Sequence, residues 1–289
     1  MSMWIVKARK ILSQSLIYLG LVVLSLVILM PLGWTLTAAL KPDNVTIFDV
    51  PTQWLPTKYF EWGNFQRAMT METRPFGLYM RNTLTIVGFN VIGNLVCCTM
   101  AAYAFARLRF RGKEFLFNFL LVTMLVPWQV LMIPQFIMFT KLGMYGSPLP
   151  LILPSFIGNV GSAFYIFLIR QYMTSINREL EEAAQIDGCN YLQRFLYVIL
   201  PLSLPVLVVM SVYVFLSVWN DLMGPLIYLT NNYQFTVSLG LANFVVSRSR
   251  TPWNLMMAAN LITMLPAVIL YFFAQKRLVG GIAAIGIKG

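Results

Sequence analysis

The sequence contains no histidine, and its ten acidic residues stand against twenty-one lysines and arginines. Without an imidazole, histidine-based acid–base catalysis, histidine metal ligation and a Ser-His-Asp triad are all excluded. Cysteine is scarce too. Cys97 and Cys98 are adjacent within an apolar run and Cys189 stands far away, which gives neither a disulfide framework nor a metal-site spacing. Charged residues make up only 11% of the chain, against about 25% in a soluble domain. There is no Gly-x-x-x-x-Gly-Lys-[Ser/Thr] phosphate loop, no internal repeat and no stretch that reads as a soluble domain.

Apolar residues are abundant, at 58% of 289. So little polar surface cannot cover the chain in water, and an all-α integral membrane protein follows. The formal charge of +11 would suit a nucleic-acid binder only if the basic residues formed a patch or stripe. Here they fall in short clusters between apolar runs, the pattern that sets membrane topology, so no nucleic-acid partner is expected.

Six spans are predicted, at about 11–40, 83–106, 115–139, 148–169, 198–222 and 255–274, within a single transmembrane domain over 1–289. The first run is too long for a signal-peptide core, and Pro31-Leu-Gly-Trp34 sits where a cleavage site would be, so an uncleaved span is expected. Residues 41–81 form a polar loop whose charges nearly balance. Gly88, Gly93, Ala101 and Ala102 in the second span would let helices approach closely. Pro127 and Pro134 are expected to interrupt the third. Arg107-Leu-Arg-Phe-Arg-Gly-Lys113 gives the sharpest orientation signal, because a short basic loop stays in the cytoplasm. The clusters at Lys7–Lys10 and Lys276–Arg277 agree, placing both termini in the cytoplasm.

Residues 178–201 depart from this apolar background. They hold Glu179, Glu181, Glu182 and Asp187, four of the ten acidic residues. Asn177 can cap a helix whose positive first turn these glutamates occupy. Leu180, Ala183 and Ala184 share one side of it as a shallow face. Asp187-Gly188 signals a turn. A second amphipathic segment follows, with Leu192, Phe195, Leu196 and Ile199 at i, i+3, i+4 and i+7, and Pro201 opens the fifth span. A helix lying on the bilayer would carry Lys and Arg on its polar face. This element is net negative, so a soluble protein partner fits it better.

Glu182-Ala-Ala184, Gly188 and Val198-Ile-Leu-Pro201 resemble the EAA loop of permease subunits of binding-protein-dependent ABC importers: Glu-Ala-Ala, three residues, Gly, nine residues, Ile-x-Leu-Pro. Valine replaces the first isoleucine. Leu40-Lys-Pro42, Ala102-Tyr-Ala-Phe-Ala-Arg107, Trp219-Asn-Asp221 and the tail from Gln275 to Gly289 are similar to the carbohydrate branch, so the resemblance covers nearly the whole chain. It implies a type I importer permease fold with a cytoplasmic helix-turn-helix coupling element, in a bacterial or archaeal cytoplasmic membrane. It also implies a second permease subunit, two cytoplasmic ATPases that bind the ATP and Mg, and an extracytoplasmic solute-binding protein delivering a sugar. Glu181, Glu182, Ala183, Ala184, Asp187, Gly188, Leu200 and Pro201 would couple to the ATPase. The chain itself would be a transport subunit without enzymatic activity or cofactor.

Polar and aromatic groups within spans are the candidates for a solute path. These are Trp128, Gln129, Gln135, Asn159, Tyr165, Trp219, Asn220 and Asp221. Asp221 competes with a role as a helix cap, and Asn90, Asn94 and Asn159 with a role in joining helices. A non-sugar solute, such as a glycerophosphodiester, polyol or glycerol phosphate, remains the alternative cargo. A membrane-embedded enzyme would need convergent acid, base or metal groups. A self-sufficient carrier commonly shows repeats and midplane ionisable groups. The sequence offers neither set.

Overall fold

A computed structural model describes the backbone of residues 3–43, 54–55, 60–73, 75–159, 161–246 and 252–286. Side chains are described over the same stretches except 3–10, 245–246 and 276–286. Of the basic residues used for topology, Lys7, Arg9, Lys10, Lys276 and Arg277 lie on helical backbone without a described side chain. Lys288 lies outside the described residues, as do Lys58, Arg74, Arg248 and Arg250 of the loops.

In chain order the helices are α1 (Met3–Ala39), α2 (Gly63–Thr70), α3 (Phe76–Arg107), α4 (Lys113–Thr123) and α5 (Trp128–Lys141). There follow α6 (Leu149–Ile152), α7 (Pro154–Ile157), α8 (Ser162–Ser175), α9 (Glu179–Ile186) and α10 (Tyr191–Arg194). A π-turn over Phe195–Ile199 leads into α11 (Leu200–Leu202) and α12 (Leu204–Trp219). The chain continues through α13 (Met223–Tyr228), a 3₁₀ turn at Asn232–Gln234, α14 (Val237–Val246) and α15 (Trp253–Gly286). Among the described residues there is no strand. Among the described residues four helical stretches are long and apolar enough to cross a bilayer: Ile11–Ala39, Phe76–Arg107, Leu149–Ser175 and Trp253–Gln275. Two bent pairs, α4 with α5 and the stretch Tyr191–Leu202 with α12, bring the number to six if each is one span.

The breaks differ in detail from the expected spans. α4 and α5 meet at 96°, at Met124–Pro127, where proline cannot donate into the preceding turn. Pro134, expected to interrupt the same span, sits inside α5 without ending it. The fourth span opens with two single-turn helices and Gly158 at φ 92° before α8 begins. The fifth bends by 75° at Ser203, between Pro201 and Pro205. α3 starts at Phe76, ahead of the expected Thr83.

By packing, the chain divides into two compact units, Met1–Arg74 with Phe244–Ile262 and Pro75–Asn243 with Thr263–Gly289, where the sequence reading treats 1–289 as one domain. In the first unit, α1 exposes every side chain from Ile11 to Gly33, as an apolar helix in lipid or against a partner would. Its C-terminal end is tied down. The buried Asn64 amide donates to the Ala39 and Lys41 carbonyls at 2.7 and 2.9 Å, and Asn254 donates to Lys41 O at 3.2 Å and to Asp43 Oδ1 at 2.6 Å. Arg67 pairs with Asp43 at 2.7 Å. These bonds satisfy carbonyls that the end of α1 leaves free, and they fix Leu40-Lys-Pro42.

The core of the second unit lies between α3, α8, the π-turn and α12. Cys98, Ala102, Tyr103, Ile169, Met173, Phe195, Ile199 and Met210 form its centre. Gly93 explains how α3 comes close to α7: a Cβ there would stand 3.0 Å from the Ser155 backbone and 2.9 Å from the Phe156 ring. Gly88, expected to act alike, meets nothing within 4 Å.

Candidate functional site

The second unit holds a cavity of about 540 Å³, within the range of about 300–1,000 Å³ usual for small-molecule sites. Helical spacing brings its walls together. Thr83, Ile86, Asn90 and Asn94 lie on one face of α3. Val214, Ser217, Val218 and Asp221, at i, i+3, i+4 and i+7, continue the inward face of α12 past its end. Trp128 and Gln135 come from α5, Asn159 from the break before α8, Phe164 and Tyr165 from α8, and Tyr228 from α13.

The lining polar groups divide by whether they are already used. The Asn90 amide donates to Ile86 O and Leu151 O, both at 2.9 Å, fastening α3 to α6. Asn94 donates to Asn90 O at 2.9 Å and accepts from the Ser162 hydroxyl at 3.3 Å. That hydroxyl has one hydrogen and also faces Asn159 Oδ1 at 2.9 Å. These side chains therefore hold helices together. Asp221 Oδ1 accepts from the Gly224 N–H at 3.1 Å, which makes it a cap for α13 as well as a lining group. The side chains of Trp128, Gln135, Tyr165 and Ser217 make no hydrogen bond to other described residues. Their donors and acceptors remain for a solute. Among the described residues Asp221 is the one charged side chain on the wall, and no lysine or arginine lines it.

Five of the eight predicted path residues thus meet at one cavity: Trp128, Gln135, Asn159, Tyr165 and Asp221. Three do not. Gln129 is exposed elsewhere on α5. Trp219 is buried, stacked on Phe215 with ring centroids 5.2 Å apart, and the Asn220 amide returns to Leu216 O at 2.8 Å. Ser217 and Phe164 on this wall are residues that sequence reasoning missed, and for Ser217 a signal existed. Its i, i+4 relation to Asp221 was the available signal.

The acidic stretch folds as helix, glycine turn, helix. The Glu179 N–H donates to Asn177 Oδ1 at 3.2 Å, so Asn177 opens α9 as expected. At its other end Gly188 takes φ 87°; its N–H donates to Gln185 O, and the Cys189 N–H to Ala184 O. This is the paired bonding of a Schellman cap, which favours glycine. Asn190 and Gln193 then cap α10 reciprocally, at 2.9 and 2.8 Å. Glu182, Ala183, Asp187, Gly188 and Pro201 are exposed, while Ala184 and Leu200 are half-buried.

Glu181 behaves differently from its neighbours. It is 8% exposed, and its Oε1 lies 2.8 Å from Arg107 Nε as an ion pair without an aligned N–H···O bond. Arg107 also donates to Ile176 O at 2.7 Å. Nearby, Tyr103 donates to Tyr191 O at 3.2 Å and packs its ring on Phe195 at 4.9 Å. Two separate sequence motifs, Ala102–Arg107 and Glu181–Gly188, are therefore joined in space. The second segment keeps only half of its predicted buried face: Phe195 and Ile199 are buried, but Leu192 and Leu196 are 59% and 42% exposed. The π-turn breaks the α-helical spacing on which that face was predicted. Among the described residues no group of three or more Cys, Asp or Glu side chains is placed to hold a metal.

Residues 93–283 match the family described as the binding-protein-dependent transport system inner membrane component. The chain belongs to this family. Relatives of the transport component span most of its length. The arabinooligosaccharides transport system permease protein AraQ of Halalkalibacterium halodurans is 29% identical over 274 residues, covering 95% of this chain and 96% of that one. The maltose/maltodextrin transport system permease protein MalG of Vibrio vulnificus is 31% identical over 258 residues, 88% of this chain and 85% of that one. The transport component also shares its fold with a chain of a bacterial ABC transporter involved in the import of the acidic polysaccharide alginate. There the TM-score is 0.79 at 23% identity, over 93% of this chain and 97% of that one. It is thus an all-helical, multi-pass membrane permease of the importer type.

Proposed function

We propose that the chain forms half of the transmembrane path of an importer for a neutral sugar or oligosaccharide. A second permease supplies the other half, and a solute-binding protein delivers the cargo from outside. The cavity wall carries this reading. It offers unengaged amide, hydroxyl and indole donors beside the aromatic faces of Trp128, Phe164 and Tyr165, groups suited to sugar hydroxyls and ring faces. A glycerol phosphate or a glycerophosphodiester would meet Asp221 and, among the described residues, no cation on this wall, and is disfavoured for that reason. The relatives that bear oligosaccharide names point the same way.

In the same proposal α9 and the turn at Gly188 dock a cytoplasmic ATPase, one of two that bind ATP and Mg. Leu180 and Ile186 stand 48% and 87% exposed on α9, with Glu182, Ala183 and Asp187 beside them. Exposed apolar side chains on a net-negative element outside the spans suit a protein cover better than anionic lipid. The ATPase, and with it both chain termini, would lie on the cytoplasmic side, where the basic loop at 107–113 belongs.

Reconstitution in liposomes tests this. The permease pair with its ATPase and binding protein should take up a neutral oligosaccharide only when ATP is inside, and glycerol phosphate should not compete. Uptake without the ATPase would sink the coupling reading, and competition by a phosphorylated solute would sink the neutral-sugar reading.

A further inference from the structure

A second cavity, of about 600 Å³, lies away from the first, at the junction of the end of α3, the basic loop, α9 and α10. Arg107, Arg109, Arg178 and Arg194 line it against only Glu181 and Glu182. Glu181 is committed to Arg107. Arg194 donates from one terminal nitrogen to Gln185 at 2.9 Å and lies over the Tyr191 ring at 4.4 Å, while its Nε is buried without a partner. Arg109 and Arg178 are exposed, and their side chains make no hydrogen bond or ion pair with other described residues. The cavity therefore holds more guanidinium donors than the chain satisfies, in the planar geometry that suits phosphate oxygens.

Its place among the apolar helices indicates the source of the phosphate. Arg107 ends the apolar stretch Phe76–Arg107, and Tyr191 begins the bent pair that makes one span if its two parts are taken together, so the cavity adjoins the ends of apolar helices. Phe110 and Tyr191 on its rim are 40% and 64% exposed, as interfacial aromatics are. Basic pockets at such helix ends suit anionic lipid headgroups. We propose that this cavity seats the phosphate headgroup of an anionic phospholipid, held mainly by Arg109, Arg178 and Arg194. The site shares only Glu182 with the proposed docking surface of α9, and its occupancy is independent of which solute the transporter carries.

Native mass spectrometry of the intact transporter complex, purified with added phosphatidylglycerol or phosphatidylcholine, tests this. The wild type should retain phosphatidylglycerol over phosphatidylcholine. Retention should fall about fivefold for each arginine removed in Arg109→Gln and Arg178→Gln. Glu182→Gln, which removes a repelling carboxylate from the wall, should raise retention. Unchanged retention in the double arginine variant would overturn the proposal, as would equal retention of the two lipids. Displacement of the lipid by inorganic phosphate alone would make it a free-phosphate site. A photo-crosslinker at position 178 that captured the ATPase chain rather than lipid would make it a protein contact. Either result would also overturn the proposal.

Discussion

Replacing Glu181 by leucine should destabilise the permease far more than any other substitution on α9. The carboxylate is 10% exposed and its partner Arg107 4%, so truncation would leave a guanidinium charge sealed beneath the helix with only the Ile176 carbonyl to answer it. Breaking a buried pair in this way costs about 3–5 kcal/mol. One edge of the pair borders the arginine-lined cavity, where water can relax the stranded charge, so the lower end, about 3 kcal/mol, is expected. Removing both charges together, as Arg107→Met with Glu181→Leu, takes away the stranded ion and keeps the packing. The remaining loss is then about 1 kcal/mol, for the unanswered Ile176 carbonyl. SDS-driven unfolding of the purified permease in mixed micelles, measured for wild type, both single variants and the double, gives the cycle. The reasoning fails if Glu181→Leu unfolds with the wild type, or if the double variant is no more stable than that single one.

Three further outcomes are expected. Gly188→Asp must hold a side chain at φ 87°, at a cost of about 1–2 kcal/mol; it should insert normally but lose sugar-stimulated ATP hydrolysis, whereas Gly188→Asn should retain most of it. Gly93→Ala drives a methyl against the Ser155 backbone and should cost about 1–3 kcal/mol in the same unfolding assay, with Gly88→Ala as a silent control. The Arg67 guanidinium and then the Asn254 amide hold the Asp43 carboxyl below the usual carboxylate range. Its contribution is therefore present above the unfolded value of about 3.9 and is lost as pH falls through the lower folded value. Amide exchange at Leu40–Asp43 should accelerate only at strongly acid pH, and Asp43→Asn should cost less than about 1 kcal/mol at neutral pH because the pair is exposed.

What was legible in the sequence was what depends on neighbours along the chain. Apolar runs located the helices, and Asn177, Asp187 and Gly188 set the ends of α9, because capping is local. Polar or aromatic character within the spans picked out Gln135, Tyr165 and Asp221, which line one cavity, but also Trp219 and Asn220, which fall off the face that Ser217 and Asp221 share. What was not legible depends on residues distant in sequence. Nothing near Glu181 says that Arg107 turns it inward while Glu182 stays outside. Nothing near Gly88 and Gly93 says which of them meets a neighbouring helix. Pro127 breaks its helix and Pro134 does not, although proline chemistry is the same at both.

The five-residue π-turn at Phe195–Ile199 stands between the turn at Gly188 and the first long stretch of α12. A turn of this kind carries about one residue more than an α-helical turn, and one residue is about 100° of rotation and 1.5 Å of rise. The azimuth of α10 about the axis of the Tyr191–Leu202 stretch, which is bent by 75° from α12, is therefore offset by that angle from the direction an unbroken α-helix would give. Annealing the turn to α-helix would act as a ratchet step, swinging α9 about the axis while Ile199 and everything beyond it stayed in place. A site-directed spin-label distance between α9 and α8, measured with and without the trapped ATPase, reads that step directly.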